Sequence, residues 1–189
     1  RYGTTGTPEQ FFVEWKDENP PAAGALPATG ALLDRPLAQL CSKMRLLDLI
    51  RHFILFDAGL KKVPRPHQFF GVKAAQERIA KHEGGVIWHT QGSGKSILMV
   101  LIAKWLLEHD PDARILVVTD RDELDKQIEG VMKNAGAMVQ RIKPVMLMSP
   151  ISVAQFLPPG SVAFDLLVID EASQIRPEDA LGVIARARQ

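Results

Sequence analysis

Cysteine is nearly absent from the chain, because Cys41 is the only one among 189 residues. An internal disulfide and a cysteine-based zinc site are therefore excluded within this chain, and the five histidines show no metal-ligand spacing. Apolar runs stay far below the roughly 18 residues that indicate a membrane span. The net charge is only +1, so any contact with nucleic acid must depend on the local placement of Lys and Arg. Since the chain begins with Arg and shows no charged-then-apolar leader, we expect an internal or processed piece of a cytoplasmic protein.

The pattern of apolar residues predicts two regions that meet near residue 60. Residues 1–59 are expected to form a linker and helical segment, with a proline- and glycine-rich stretch over 19–36 and a helix over 37–56. Residues 60–189 alternate helices with short, unbroken apolar strands, which predicts an α/β fold with a mostly parallel sheet covered on both faces. The predicted strands cover 86–89, 115–119, 145–148 and 164–169, and the predicted helices cover 68–82, 95–109, 120–134, 152–157 and 177–189.

A glycine-rich segment, Gln91-Gly92-Ser93-Gly94-Lys95-Ser96, follows one predicted strand and begins a predicted helix. This is the context of a P-loop, in which glycines let backbone N–H groups turn toward phosphates and the helix N-terminus adds partial positive charge. We expect all six residues to contact the nucleotide, with Lys95 on the β- and γ-phosphates and Ser96 on Mg²⁺. His89 stands where the first glycine of GxxxxGK[ST] is expected. The alternative is a chance glycine-rich helix cap.

A second chemical signature comes at the end of the last predicted strand, where Asp170 and Glu171 follow an apolar run. Asp170 is expected to hold Mg²⁺ through water, and Glu171 to orient and deprotonate the attacking water. The alternative is an exposed acidic turn after a core strand. Taken with the glycine-rich segment, the pair predicts an ATP-hydrolysing core that uses ATP and Mg²⁺, with both loops converging on one nucleotide.

Longer stretches resemble the motor subunit of type I restriction enzymes over about residues 7–138. They are TPEQFFVEWK, RLLDLIRHFILFD, KKVPRPHQFFGVKAAQERI, WHTQGSGKS and ARILVVTDRDELDKQI. The resemblance implies a RecA-like P-loop NTPase lobe of an ATP-driven, superfamily 2 translocase of double-stranded DNA. It also implies DNA, a second RecA-like lobe, and specificity and methylation subunits as partners. In that family Gln68 would lie near the adenine, and Thr119 and Arg121 near the DNA, while a histidine at position 89 is typical.

Residues 141–189 are instead similar to superfamily 1 helicases with a DEASQ box, in which Gln174 would sense the γ-phosphate. The restriction family would carry Asp-Glu-Ala-His, whereas this chain has Asp170-Glu171-Ala172-Ser173. The two resemblances meet near residues 136–143. Two alternatives therefore stay open beside the restriction motor: a superfamily 1 DNA or RNA helicase lobe, and a non-catalytic nucleotide-binding fragment or chimeric remnant. Because motifs of a second lobe are absent, we expect ATP binding with weak, poorly DNA-stimulated hydrolysis.

Three further features favour structural roles. The triplet Glu14-Trp15-Lys16 is similar to part of a restriction-type nuclease site, but no acidic residue precedes Glu9 to complete it. Trp88 and Trp105 are expected in the core because they accompany apolar runs. Arg186 and Arg188 are expected to be charges on a helix surface.

Overall fold

The computed structural model describes residues 1–17, 34–57, 59–90, 92–119 and 145–188. The chain divides into two compact units, the first made of residues 1–76 and 87–101 and the second of residues 77–86 and 102–189. The sequence-based division between residues 59 and 60 stays a prediction. The predicted linker was 19–36; its residues 19–33, the predicted helix over 120–134, Gln91 and Arg121 lie outside the described residues. Its residues 34–36 were predicted to be irregular, which is wrong, because they begin a helix. Within the described part of the chain, no helix combines the length and apolarity needed to cross a membrane.

An aromatic cluster forms the interior of the first unit. The ring centroid of Phe69 lies 5.5 Å from that of Trp15 and 4.7 Å from that of Phe53, and all three side chains are buried. The guanidinium of Arg45 lies over the Trp15 ring at 5.4 Å and makes a 2.8 Å ion pair with Asp17. The burial of these rings and the cation that lies over them both stabilise this unit.

The helix predicted over 37–56 is wrong as a single element. The structure has α1 at Asp34–Leu40, α2 at Lys43–Asp48 and a π-helical turn at Leu49–Phe53, followed by strand β1 at Leu55–Asp57. Ser42 has an extended backbone, with φ −56° and ψ 136°, which ends the first helix. The large apolar side chains of this segment do not share one buried face, because Leu49 and Phe53 are buried while Leu46, Leu47 and Ile50 are exposed.

Strand β1 pairs antiparallel with β2 at Leu60–Lys62, and neither of these two strands was among those predicted. Two predicted helices are confirmed: α3 at Pro66–Ala80 and α4 at Lys95–His109. The strand predicted over 86–89 is wrong, because those residues have no regular structure and pair with no described strand. Trp88 is 88% exposed, so its predicted place in the core is also wrong. An apolar run makes a strand only where a neighbouring strand accepts its backbone hydrogen bonds.

The second unit contains a parallel three-stranded sheet in the order β4-β3-β5. Strand β3 is Ile115–Val118, β4 is Val145–Met148 and β5 is Leu166–Ile169, as the apolar runs predicted within one or two residues. Every residue of β3 is buried, as expected for the central strand of a parallel sheet. Helices α5 at Pro150–Phe156 and α6 at Pro177–Ile184 follow β4 and β5. The buried cluster of this unit comprises Leu116, Val118, Met146, Met148, Val153, Leu157, Val162, Phe164 and Val183.

The carboxyl-terminal arginines differ from the prediction of helix-surface charges. Helix α6 ends at Ile184, and Arg186 beyond it is buried. Its Nε donates to the carbonyl oxygen of Leu157 over 2.6 Å, which pairs a buried cation with a backbone acceptor. Arg188 is exposed and lies 3.2 Å from an Asp165 carboxylate oxygen. Neither residue lies on a helix, because the chain forms a bridge between Phe164 and Ala187 at this point.

Candidate nucleotide-binding site

The glycine-rich segment forms a turn that leads directly into α4. Gly92 and Gly94 have φ angles of 75° and 84°, which lie in the left-handed region that favours glycine. The amide of Ser93 donates to the carbonyl of Thr90 over 3.2 Å, and the helix begins at Lys95. The first amides of an α-helix have no intrahelical acceptor, and the helix dipole makes its N-terminus attractive to anions. We call residues 92–94 the glycine turn.

Gln68 fastens the glycine turn to α3 through its side-chain amide. Its Nε2 donates to the carbonyl oxygens of Ser93 over 3.1 Å and Gly94 over 3.2 Å, and its Oε1 accepts from the Arg65 amide over 2.8 Å. If the amide were rotated by 180°, its oxygen would face the two carbonyls and its nitrogen would face the Arg65 amide, so only the orientation described forms all three hydrogen bonds. His67 Nε2 also lies 3.0 Å from the Ser93 carbonyl, so that nitrogen is the donor. The carbonyls of Ser93 and Gly94 thus accept hydrogen bonds from side chains of α3.

His89 lies beside this arrangement. Its ring meets that of His67 edge-on, with centroids 4.9 Å apart and planes at 87°. A Cβ added to Gly71 would stand 3.5 Å from the His89 ring, so His89 packs closely on α3. Burial, the His67 ring and the Lys95 ammonium, in that order, lower the pKa of His89 below its ordinary value. His89 is therefore a neutral imidazole near neutral pH, close enough to Lys95 to sense its charge.

The residues expected to hold the phosphates and metal lie at the start of α4. Lys95 is the first residue of the helix and is half-buried, while Ser96 is exposed. Hydroxyl, carboxylate and water oxygens are the ligands Mg²⁺ prefers, so Ser96 and Asp170 suit that ion chemically. Within the described residues, no cluster of three or more His, Cys, Asp and Glu side chains is arranged to hold a metal by itself.

The acidic pair lies in the second unit, at the carboxyl edge of the parallel sheet. Asp170 follows β5, and its amide donates to the Val118 carbonyl over 2.8 Å. Thr119 follows β3, is buried, and donates its amide to the Met148 carbonyl over 3.1 Å. This edge is where open α/β sheets bind ligands, because the strands there end and loops diverge.

Glu171 has a φ angle of 50°, an uncommon conformation for a residue that is not glycine. Such backbone conformations are concentrated at functional sites. The amide of Gln174 donates to the Glu171 carbonyl over 2.8 Å, and the Gln174 side chain is exposed. The convergence of this loop with the glycine turn on one nucleotide stays a prediction, as do the roles of Gln174 and Thr119.

Sequence reasoning missed His67 as a member of the site. Its contact with the Ser93 carbonyl joins positions 26 residues apart. The available signal was its position directly before Gln68, and the side chains of both residues contact the Ser93 carbonyl.

Comparisons with known proteins bear on the same region. Residues 67–153 match a family model described as SWI2/SNF2 ATPase. The type I restriction enzyme HindI endonuclease subunit of Haemophilus influenzae is 36% identical over 143 residues, covering 68% of this chain and 14% of that protein. A putative type I restriction enzyme MjaIXP endonuclease subunit of Methanocaldococcus jannaschii is 33% identical over 125 residues, covering 60% of this chain and 12% of that protein. This chain therefore spans only about a seventh of the length of these relatives.

Proposed function

Because the curated homologues of this chain are type I restriction enzyme endonuclease subunits, we propose that it is the ATP-binding and ATP-hydrolysing part of a DNA translocase in such a restriction-modification system. The proposed fold is a RecA-like P-loop NTPase lobe, with residues 60–189 as the lobe and residues 1–59 as the segment before it. The proposed partners are DNA, the specificity and methylation subunits of the complex, and a second RecA-like lobe. The proposed location is the cytoplasm.

The glycine turn carries this proposal. It combines two left-handed glycines, the start of α4 at Lys95, and a buried Gln68 that engages the carbonyls of the turn. When the carbonyls are engaged on one side, the amides of the same peptide groups face the other side, where an anion gains their hydrogen bonds. The SWI2/SNF2 ATPase match begins at residue 67, the second residue of α3, and so includes the rest of α3, the turn and α4.

The proposed chemistry assigns each side chain one task. Lys95 neutralises the β- and γ-phosphates, and Ser96 and Asp170 hold Mg²⁺, which supplies further charge neutralisation when bound. Glu171 orients the attacking water and accepts its proton, a contribution of about 10²–10⁴-fold to the rate. Gln174 senses the γ-phosphate, while Thr119 and Arg121 lie along the DNA.

Calorimetric titration of the chain with Mg·ATP tests the nucleotide site. Lys95→Ala is expected to weaken binding about tenfold or more, because charge-assisted hydrogen bonds to phosphate contribute roughly 1.5–3 kcal/mol each. Lys104→Ala, farther along α4, is the matched control and is expected to bind like the unmodified chain. An absence of heat with Mg·ATP, or equal binding by Lys95→Ala, would refute the proposed function.

The sequence Asp170-Glu171-Ala172-Ser173-Gln174 favours a second candidate, a superfamily 1 helicase lobe that acts on single strands. A protein carrying both lobes separates the two. ATP turnover stimulated mainly by duplex DNA supports the restriction translocase, whereas stimulation mainly by single-stranded DNA or RNA supports the alternative.

A further inference from the structure

Two histidines from separate parts of the sequence meet beside the glycine turn. His67 lies in the first turn of α3 and His89 precedes the glycine turn, and the centroids of their rings are 4.9 Å apart. Both residues belong to the first unit. Imidazole is the commonest protein ligand of zinc and suits the other late first-row transition metals. The pair is therefore a candidate site for such an ion, although the sequence spacing of the two histidines is not that of a known metal-binding motif.

The hydrogen bond made by His67 determines which of its nitrogens is available to an ion. Its Nε2 lies 3.0 Å from the Ser93 carbonyl oxygen, which can only accept, so Nε2 carries the proton. In the neutral ring the lone pair is consequently on Nδ1. Metal-binding histidines commonly donate their other N–H to a backbone carbonyl, because that bond fixes the orientation of the ring. His67 already has this second hydrogen bond.

His89 has the properties of a second ligand. Its Nδ1 is buried and has no hydrogen-bond partner among the residues that the structure describes, an unfavourable state for a polar atom. Burial, His67 and Lys95 lower the pKa of His89, so the ring is neutral near pH 7, and the neutral form is the one that binds a metal. The torsion about the Cβ–Cγ bond of histidine has broad energy wells, so the ring can direct a nitrogen toward an ion beside His67.

The distance between the two rings fits an ion that both of them bind. Two imidazoles that bind one zinc ion at about 2.0–2.1 Å have centroids roughly 5 Å apart. The Ser93 hydroxyl oxygen is also buried and lacks a partner in the described part of the chain, while the carbonyl of the same residue contacts His67. Water bound to the ion can donate to this hydroxyl, so an ion with its water satisfies both unpartnered atoms. A buried water alone could satisfy them too, and detection of the ion separates the two cases.

We propose that His67 Nδ1 and a ring nitrogen of His89 bind one late first-row transition-metal dication, such as Zn²⁺ or Ni²⁺. Water completes the coordination and hydrogen-bonds to the Ser93 hydroxyl. The site differs from the proposed Mg²⁺ site, because Mg²⁺ takes oxygen ligands. Two protein ligands and a nearby Lys95 ammonium oppose tight binding, so we expect micromolar affinity, weaker than that of structural zinc sites. The site does not depend on the proposed function, because it requires neither nucleotide nor hydrolysis.

Calorimetric titration with ZnCl₂, NiCl₂ and MgCl₂ tests this site. The background is Cys41→Ser, because Cys41 is an exposed thiol that can itself bind zinc. In that background, His67→Gln and His89→Gln are each expected to weaken Zn²⁺ and Ni²⁺ binding at least tenfold, since each removes one of two protein ligands. His89→Cys is expected to retain Zn²⁺, because a thiolate is also a zinc ligand. His109→Gln, which removes an exposed histidine at the end of α4, is the control and is expected to bind like the background.

Urea unfolding with and without Zn²⁺ shows whether each variant is folded. Zn²⁺ is expected to raise the unfolding midpoint of the background chain and to leave that of the two glutamine variants unchanged. If a glutamine variant does not unfold cooperatively, His89→Cys decides, because loss of Zn²⁺ by the folded cysteine variant would contradict the site.

Two further results would overturn the proposal. The first is equal Zn²⁺ affinity in the background and in folded His67→Gln or His89→Gln, which would place the ion elsewhere. The second is an absence of binding up to about 1 mM Zn²⁺, in which case a buried water alone satisfies His89 and Ser93. MgCl₂ that displaces Zn²⁺ at equal concentration would likewise contradict a site made of imidazole nitrogens.

Discussion

Gln68 Nε2 donates to the carbonyl oxygen of Gly94 over 3.2 Å, and a Cβ added to that glycine would lie only 2.4 Å from the same nitrogen. The close approach and the φ angle of 84° both require glycine at position 94. The buried Gln68 amide therefore packs directly against the backbone of Gly94, just before α4 begins.

Substitution of the two turn glycines is expected to have unequal effects. Gly94→Ala combines a left-handed φ with a clash against Gln68, whereas Gly92→Ala meets open space and costs only backbone strain, about 1–3 kcal/mol. Mg·ATP affinity measured by calorimetry is therefore expected to fall further for Gly94→Ala. Gly160→Ala is the control, because Gly160 has φ 78° and open space but lies in the second unit. Equal affinities for Gly92→Ala and Gly94→Ala would show that the Gln68 contact has no consequence for the turn.

Gln68 itself can be assigned either to the turn or to the adenine. Gln68→Ala removes three hydrogen bonds, although the Ser93 carbonyl keeps His67 and the Gly94 carbonyl keeps the Ile97 and Leu98 amides. We expect the free energy of unfolding to fall by about 1–3 kcal/mol. If Gln68 positions the turn, affinities for Mg·ATP and Mg·tripolyphosphate fall together. Loss of Mg·ATP affinity alone would instead assign Gln68 to the base. Gln76→Ala, in the same helix, is the control for a general effect on α3.

Much of the second unit followed from the sequence, for physical reasons. Strand β3 is a run of apolar residues that a central parallel strand requires, and Pro150 and Pro177 stand in the first turns of α5 and α6. Residues 86–89 carry a similar apolar run and form no strand in the structure. An apolar run indicates that its residues can be buried. Whether they form a strand depends on neighbouring strands, which come from distant parts of the sequence.

In the candidate site, too, features set by neighbouring residues were predictable from the sequence, and contacts between residues far apart in the chain were not. The sequence predicted the glycine turn and the start of α4 at Lys95, because glycine φ preferences and helix starts are local properties. The assignment of Gln68 to the adenine came from a family resemblance and stays a prediction. The sequence did not predict the contacts of its amide with carbonyls 25 and 26 residues away. Contacts at that separation depend on how α3 packs, which no spacing in the sequence encodes.

Glu171→Gln tests whether the acidic pair hydrolyses ATP. The amide keeps the size of the carboxylate but cannot accept a proton, so we expect turnover to fall about 10²–10⁴-fold while Mg·ATP still binds. Phosphate release in a single-turnover assay measures ATP turnover, and calorimetry measures Mg·ATP binding. Glu178→Gln, an exposed acidic residue in α6, is the matched control. Unchanged phosphate release by Glu171→Gln would favour the non-catalytic nucleotide-binding fragment.

His89 gives the chain a pH-dependent stability of defined sign. Burial, His67 and Lys95 hold the pKa of His89 below its ordinary value of 6.5 in the folded chain, so the unfolded chain binds the proton more tightly. The free energy of unfolding is therefore expected to decrease as the pH falls below about 6.5. Above about pH 6.5 the contribution of His89 is expected not to change with pH. Urea unfolding from about pH 7.5 to about pH 5.5 measures this, and His89→Gln is expected to reduce the slope. Gln76→Ala, in α3 of the same unit, removes no titrating group and is the control for a general effect on stability.

Bound nucleotide is expected to weaken the same pH dependence. Phosphates held at Lys95 place negative charge near His89, which favours its protonated form and raises its pKa toward the ordinary value. The difference between folded and unfolded chains then shrinks, so saturating Mg·ATP reduces the slope of unfolding free energy against pH. By linkage, Mg·ATP affinity rises as the pH falls through this range in the unmodified chain and rises less in His89→Gln. Identical affinity profiles for the two chains would place the phosphates away from His89, and so away from the glycine turn.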